Sequence, residues 1–208
     1  MTASGDMVVF KGAKIDGKRV MSEREAEKGV VAVDGFLSGP LKGTPEKAAS
    51  KFLDANSELF AGYGKALQEL KVEKVSRSPA GYHVTFQQVH QGVPVEEAKV
   101  SVHMTADKRV HAAYSRLNLD VATLDVQRMA ENGIDQDEAI QIARADAGAL
   151  GKGVGKAEAD QVILPQEPPR LAWKVVLFTK RPAAEWSVWV DVQSGQVLER
   201  REISLAKE

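Results

Sequence analysis

The sequence predicts an α+β fold of two consecutive units, each an antiparallel sheet backed by one helix. Three observations carry that expectation. A proline-led amphipathic stretch opens at Thr44, period-2 runs fill Tyr82 to Tyr114, and helix-then-strand patterning returns after Ile134.

Residues 1–43 read as an irregular and strand-forming segment of the first unit. Met7-Val8-Val9-Phe10 and Gly29-Val30-Val31-Ala32-Val33 are apolar runs of strand length, and Gly35, Gly39-Pro40 and Gly43 break the chain between the second run and Thr44. Thr44 offers a side-chain oxygen at the N-cap and Pro45 presets the first helical φ. Ala48, Phe52, Ala55 and Leu59 recur at helical spacing, Phe60 closes the stripe, and Gly62 and Gly64 stop it, which predicts a helix over about 45–61. Its partner sheet comes next. Tyr82, Val84, Phe86 and Gln88 share one face; Gln91-Gly92-Val93-Pro94 turns the chain; Ala98, Val100, Val102 and Met104 alternate back. Ala106-Asp107-Lys108 leads into a third strand with Val110, Ala112 and Tyr114 on one face. The first module is thus expected over 44–121 and a linker with one helical turn over 122–133.

The second unit is expected over 134–208 and ends in a charged tail. Asp135 and Glu138 stand at capping-box spacing, and Ala139, Ile140, Ala143 and Ala147 form the helix stripe. After a glycine-rich connector, Val162-Ile163-Leu164, Leu171 to Phe178, and the alternating Trp186, Val188, Val190 and Val192 read as strands. Gln193-Ser194-Gly195-Gln196 turns the chain into Val197-Leu198. Trp186 belongs with the core face, while Trp189 lies on the opposite one, either covered by another element or open to a partner.

Composition narrows the function. Of 208 residues, 43% are hydrophobic and 27% charged, the balance of a folded soluble chain. With 28 basic and 29 acidic residues the net charge is −1, which gives no field to hold a phosphate backbone, so nucleic acid is not an expected partner. The absence of cysteine excludes disulfides, thiolate zinc sites, iron–sulfur clusters and a thiol nucleophile. No apolar run reaches the ~18 residues of a membrane span.

The chemical inventory is thin. His83, His90, His103 and His111 fall on expected strands, and none has H-E-x-x-H spacing. They read as solvent-facing strand residues, with a metal held across the sheet as the alternative. There is no G-x-S-x-G elbow. The glycine-rich 148–155 stretch lacks the order of a phosphate-binding loop and comes after a helix, so it reads as a connector. Glu96 and Glu97 are strand neighbours that point to opposite faces, so they are not a paired acid site. No catalytic residue, metal ligand or cofactor is therefore expected, and the chain is not expected to be an enzyme.

A resemblance adds what composition cannot. Phe52, Asn56, Leu59 and Phe60, with Val84-Thr85-Phe86-Gln87-Gln88, Gly92 and Pro94-Val95, resemble the fungalysin/thermolysin propeptide module. Leu171-Ala172-Trp173-Lys174-Val175 and then Trp186 to Leu198, with Asp191 before the Ser194-Gly195 turn, resemble a PepSY module. The two cover about 40–202, in the order found in precursors of thermolysin-like and fungalysin-like zinc metallopeptidases. The resemblance implies a cystatin-like architecture and a pro-domain that inhibits its protease and assists its folding. The implied partner is the cognate thermolysin-like or fungalysin-like metalloprotease domain. An alternative is a free-standing relative that binds or inhibits a protease, or another protein, in trans. Trp189, Arg200, Arg201, Ile203 and Leu205 are the residues expected at the partner interface. Met1 to Asp6 lacks the basic-then-apolar order of a secretory signal. The resemblance implies a secreted or periplasmic protein whose leader is not in this chain, while a chain complete as written would be cytoplasmic.

Overall fold

A computed structural model describes residues 17–19, 30–35, 37–56, 69–148, 156–180 and 183–203. The described residues of 1–90 and 97–122 form one compact unit, and those of 91–96 and 123–208 form a second.

In the first unit, strands β1 (Gly17–Arg19), β2 (Val30–Gly35), β3 (Leu70–Ser78), β4 (Gly81–His90), β5 (Val93–Met104, whose first residues 93–96 belong to the second unit) and β6 (Val110–Arg116) lie in the order β1-β2-β6-β5-β4-β3. Helix α1 spans Pro45–Ala55, with the Thr44 hydroxyl accepting from the Lys47 N–H at 3.4 Å. It buries Ala48, Ala49, Phe52 and Leu53 against Val84, Phe86, Val100, Val102 and Met104, the core face read from the alternation. The helix is shorter than expected. Asn56 is buried and turns back on the Phe52 carbonyl through its side-chain amide at 2.8 Å and its backbone N–H at 3.1 Å, which closes the last turn. Leu59, Phe60, Gly62 and Gly64 lie outside the described residues, as do Met7 to Phe10.

Two further differences come from bulges. Strand β3 escapes the period-2 reading because its valines fall three apart: Val72 pairs with Phe86 but Lys74 with Thr85, so Glu73 is the extra residue. In β6, Met104 pairs with Val110 but His103 with Ala112, leaving His111 as the extra residue. Val110 and Ala113 therefore face the core, and Tyr114 is turned out to 42% exposure, against the expected Val110–Ala112–Tyr114 face. The β3–β4 turn needs a glycine. Gly81 has φ +141°, and a Cβ there would overlap the Met104 carbonyl oxygen.

In the second unit, the stretch expected as a linker carries more structure than a single turn. A 3₁₀ turn (Asp120–Thr123) ends the first unit, and helix α2 (Val126–Glu131) comes next, capped by the Asp125 carboxylate accepting from the Arg128 N–H at 3.1 Å. Helix α3 (Gln136–Gly148) starts with the expected reciprocal cap: the Glu138 N–H donates to Asp135 at 2.8 Å, and the Asp135 N–H donates to Glu138 at 3.2 Å. Its fully buried Ala139, Ala143 and Ala147 let the helix sit close on Ala159, Val175, Leu177, Val188 and Val190. The sheet is antiparallel in the order β7 (Ala157–Leu164), β8 (Arg170–Lys180), β9 (Ala183–Asp191), β10 (Val197–Ile203). A parallel bridge joins Val95 to Ile163, and Lys174 donates to Glu96 at 2.6 Å. The Gly151–Gly155 connector lies outside the described residues.

Candidate functional site

Three of the residues expected at a partner surface, Arg200, Arg201 and Ile203, lie on β10, and Trp189 lies on its neighbour β9, so the construction of β10 decides what they can do. The turn that delivers it is built on one buried carboxylate. Asp191 Oδ1 accepts from the Gln193 N–H (3.0 Å), the Ser194 N–H (2.7 Å) and the Ser194 hydroxyl (2.8 Å), and Oδ2 accepts from Arg170 at 3.2 Å. Burial pushes the Asp191 carboxyl up, but the Ser194 N–H and hydroxyl together with Arg170 outweigh it and hold the group below the ordinary Asp range. Gly195, at φ +68°, completes the turn by donating its N–H to the Asp191 carbonyl at 2.9 Å.

Among the described residues, β10 has a neighbouring strand on one side only, so its other edge is open to pairing. Alternation splits the two arginines. Arg200 faces α3, where it donates to Asp146 at 2.9 Å and lies 6.0 Å from the Trp186 ring centre. Arg201 points the other way, bonded to Glu199 at 2.6 Å and 5.3 Å from the Trp189 ring centre. Ile203 shares the Arg201 face at 38% exposure and stands opposite Glu185, which in turn stands opposite the 37% exposed Phe178. An open hollow lined by Glu158, Val176, Phe178 and Glu185 lies on this face.

Trp189 is not an open ring. It is 2% exposed, packed with Val162, Leu164 and Ala172 and flanked by Lys174 at 5.2 Å and Arg201. Its indole N–H has no acceptor among the described residues. Leu205 lies outside the described residues. The structure thus brings Arg201 and Ile203 onto one open face, puts Trp189 beneath that face, and assigns Arg200 to bracing the strand. Asp146 and Phe178 carry no mark in the sequence; the Arg200 contact reveals the first and the pairing register the second.

The four histidines divide as well. His90 is buried and contacts Glu69 at 3.2 Å. His83 and His103 meet across β4 and β5, Nδ1 to Nδ1 at 2.6 Å, on the sheet face away from the core, with Ser78 Oγ 2.9 Å from His83 Nε2. They are half-buried rather than turned freely to solvent. Among the described residues no group of three or more His, Asp or Glu side chains stands ready to hold a metal ion.

Comparison with known proteins places this geometry. Residues 68–117, which span β3 to β6, match the Fungalysin/Thermolysin Propeptide Motif (FTP). Residues 133–201, which span α3 to most of β10, match the Peptidase propeptide and YPEB domain (PepSY). The chain carries an FTP module followed by a PepSY module. That is the order read from its motifs, and the Asp191 turn falls inside the PepSY match.

The FTP–PepSY chain is also similar to bacillolysin of Bacillus amyloliquefaciens, 27% identical over 174 residues, covering 80% of this chain and 33% of the relative. Bacillolysin of Bacillus subtilis (strain 168) is 24% identical over 189 residues, covering 86% and 35%. The chain spans about a third of the length of these curated relatives. Among solved structures, the Bacillus megaterium YpeB C-terminal domain aligns with 94% of this chain and 88% of its own at 13% identity and a TM-score of 0.44. The YpmB protein from Bacillus subtilis aligns with 69% and 96% at 17% identity and a TM-score of 0.28. Among the described residues no helix is long and apolar enough to cross a membrane.

Proposed function

We propose that this chain is the pro-region of a secreted, thermolysin-like zinc metalloprotease, which it holds inactive and helps to fold without doing chemistry itself. One observation carries the reading: two propeptide modules in series, within a stretch similar to about a third of bacillolysin. The contact surface is the open edge of β10 with the face bearing Arg201 and Ile203. An extended segment of the protease pairs with that edge by main-chain hydrogen bonds, and Ile203 and Phe178 receive its apolar side chains. Leu205, two residues beyond Ile203 in the sequence, belongs to the same contact. Trp189 supports this face from beneath. Arg200 holds the strand to α3.

The test mixes the purified chain with the metalloprotease from the same source and measures peptide hydrolysis and refolding yield. Slower hydrolysis and a higher yield of active enzyme from denatured protease are expected. No change in either overturns the reading. Turnover of peptide by the chain alone overturns its non-catalytic part.

A further inference from the structure

The His83–His103 contact has no part in the proposed protease interaction, and it brings two imidazole nitrogens together across neighbouring strands. We infer that His83 and His103 form a binding site for a borderline divalent transition-metal ion, Zn²⁺ or Cu²⁺, on the open face of the FTP sheet.

Position supports this first. The two residues lie on neighbouring strands β4 and β5, and Thr85 and Ser101, each two residues away, also meet across the same strands at 3.5 Å. That register fixes the imidazoles opposite each other on a hydrogen-bonded sheet, so little side-chain freedom is lost when both are held by one ion. The two Nδ1 atoms face each other 2.6 Å apart, with the ring planes crossed at 73°. The Tyr114 ring meets His103 edge-on with centroids 5.4 Å apart, which limits how the imidazole turns.

Tautomer is the second support. Ser78 Oγ lies 2.9 Å from His83 Nε2, and when Nε2–H donates to that hydroxyl, Nδ1 is left as a lone pair, the form a metal takes. In the metal-free pair the His103 Nδ1–H then donates to His83 Nδ1. Binding an ion moves that proton to His103 Nε2 through solvent, so two neutral imidazoles ligate and no net proton is released at a pH where both are neutral. The rings must open slightly: Zn–N bonds of about 2.0–2.1 Å at a tetrahedral angle set the two nitrogens about 3.3 Å apart. A small rotation of each ring supplies the difference. Two imidazoles select zinc, copper or nickel over calcium or magnesium, which take oxygen ligands. The remaining positions go to water.

The test uses the untagged full chain. Titration calorimetry with ZnCl₂ and CuCl₂ should show one ion per chain, copper tighter than zinc. His83→Ala and His103→Ala should each weaken binding at least about tenfold, whereas His90→Ala should not. Independently of any variant, zinc should shift the ring-nitrogen resonances of His83 and His103 at Nδ1 and leave those of His90 in place. No binding by the wild-type chain, binding that survives both His83→Ala and His103→Ala, or shifts confined to other histidines would each overturn the assignment.

Discussion

Removing the Asp191 carboxylate gives the most direct test of how the PepSY sheet is held. In Asp191→Ala the Gln193 N–H, the Ser194 N–H and the Ser194 hydroxyl lose their acceptor, and Arg170 loses its partner. Gln193 and Ser194 are exposed, so water re-solvates their donors and each bond accounts for about 0.5–1 kcal/mol net. Arg170 is 41% exposed, so its ion pair adds no more than about 1 kcal/mol. The expected loss is about 2–4 kcal/mol. All three tryptophans (173, 186 and 189) belong to the second unit, so urea unfolding monitored by tryptophan fluorescence reads that unit alone. Asp191→Asn keeps an acceptor oxygen but loses the charge, and costs less than Asp191→Ala. The folded carboxyl titrates below its unfolded value of about 3.9, so its contribution is complete above that pH and drains away as pH falls through the folded-state value. The wild-type advantage over Asp191→Asn should therefore shrink on acidification. An Asp191→Ala loss under about 0.5 kcal/mol, or an advantage over Asp191→Asn that stays constant from about pH 7 to pH 3, would refute the account.

Phe52→Ala empties a side chain that is 2% exposed in the first core and should cost about 3–5 kcal/mol, read from urea unfolding of the FTP unit by circular dichroism. Gly81→Ala forces a Cβ into the Met104 carbonyl at a φ of +141° and should destabilise by more than about 1 kcal/mol in the same assay. Ile203→Asp and Arg201→Glu should weaken inhibition of the cognate protease at least about tenfold, which is about 1.4 kcal/mol, while leaving the tryptophan-detected midpoint within about 0.5 kcal/mol of wild type. Arg200→Ala should lower the midpoint slightly through loss of the Asp146 pair and weaken inhibition less than either Ile203→Asp or Arg201→Glu.

Local patterns are legible in this sequence, and inserted residues and long-range cover are not. Strands β4 and β5 can be read because their core faces keep strict alternation, Val84 and Phe86 on one and Ala98 to Met104 on the other. The starts of α1 and α3 can be read because Thr44, Asp135 and Glu138 act on backbone within a few residues of themselves. Period-2 reading fails where one residue is inserted. Glu73 hides β3, and His111 reverses the face of β6. Long-range cover is equally invisible locally: alternation places Trp189 on the far face, but not beneath Lys174 and Arg201. The His83–His103 contact needs the register of β4 on β5, which the residues of neither strand specify alone.

The same kind of insertion decides the chemistry of β10. Val197 pairs with Val190, but Glu199, not Leu198, pairs with Trp189. Leu198 is the extra residue, and it packs on the Trp189 cluster. In an unbroken ladder Arg200 would stand opposite Ser187 on the Trp189 face, and Arg201 would turn toward α3. The bulge shifts the pattern by one step, which matches Arg200 to Asp146 and places Arg201 and Ile203 together on the opposite face. One arginine fixes the edge strand to its helix while the next is presented beside an exposed aliphatic side chain. Under the proposed function, an edge that receives a partner strand has to be held from one side and left unpaired on the other. A strand without the bulge would exchange the faces of Arg200 and of Arg201, the proposed contact residue, although its composition would be identical.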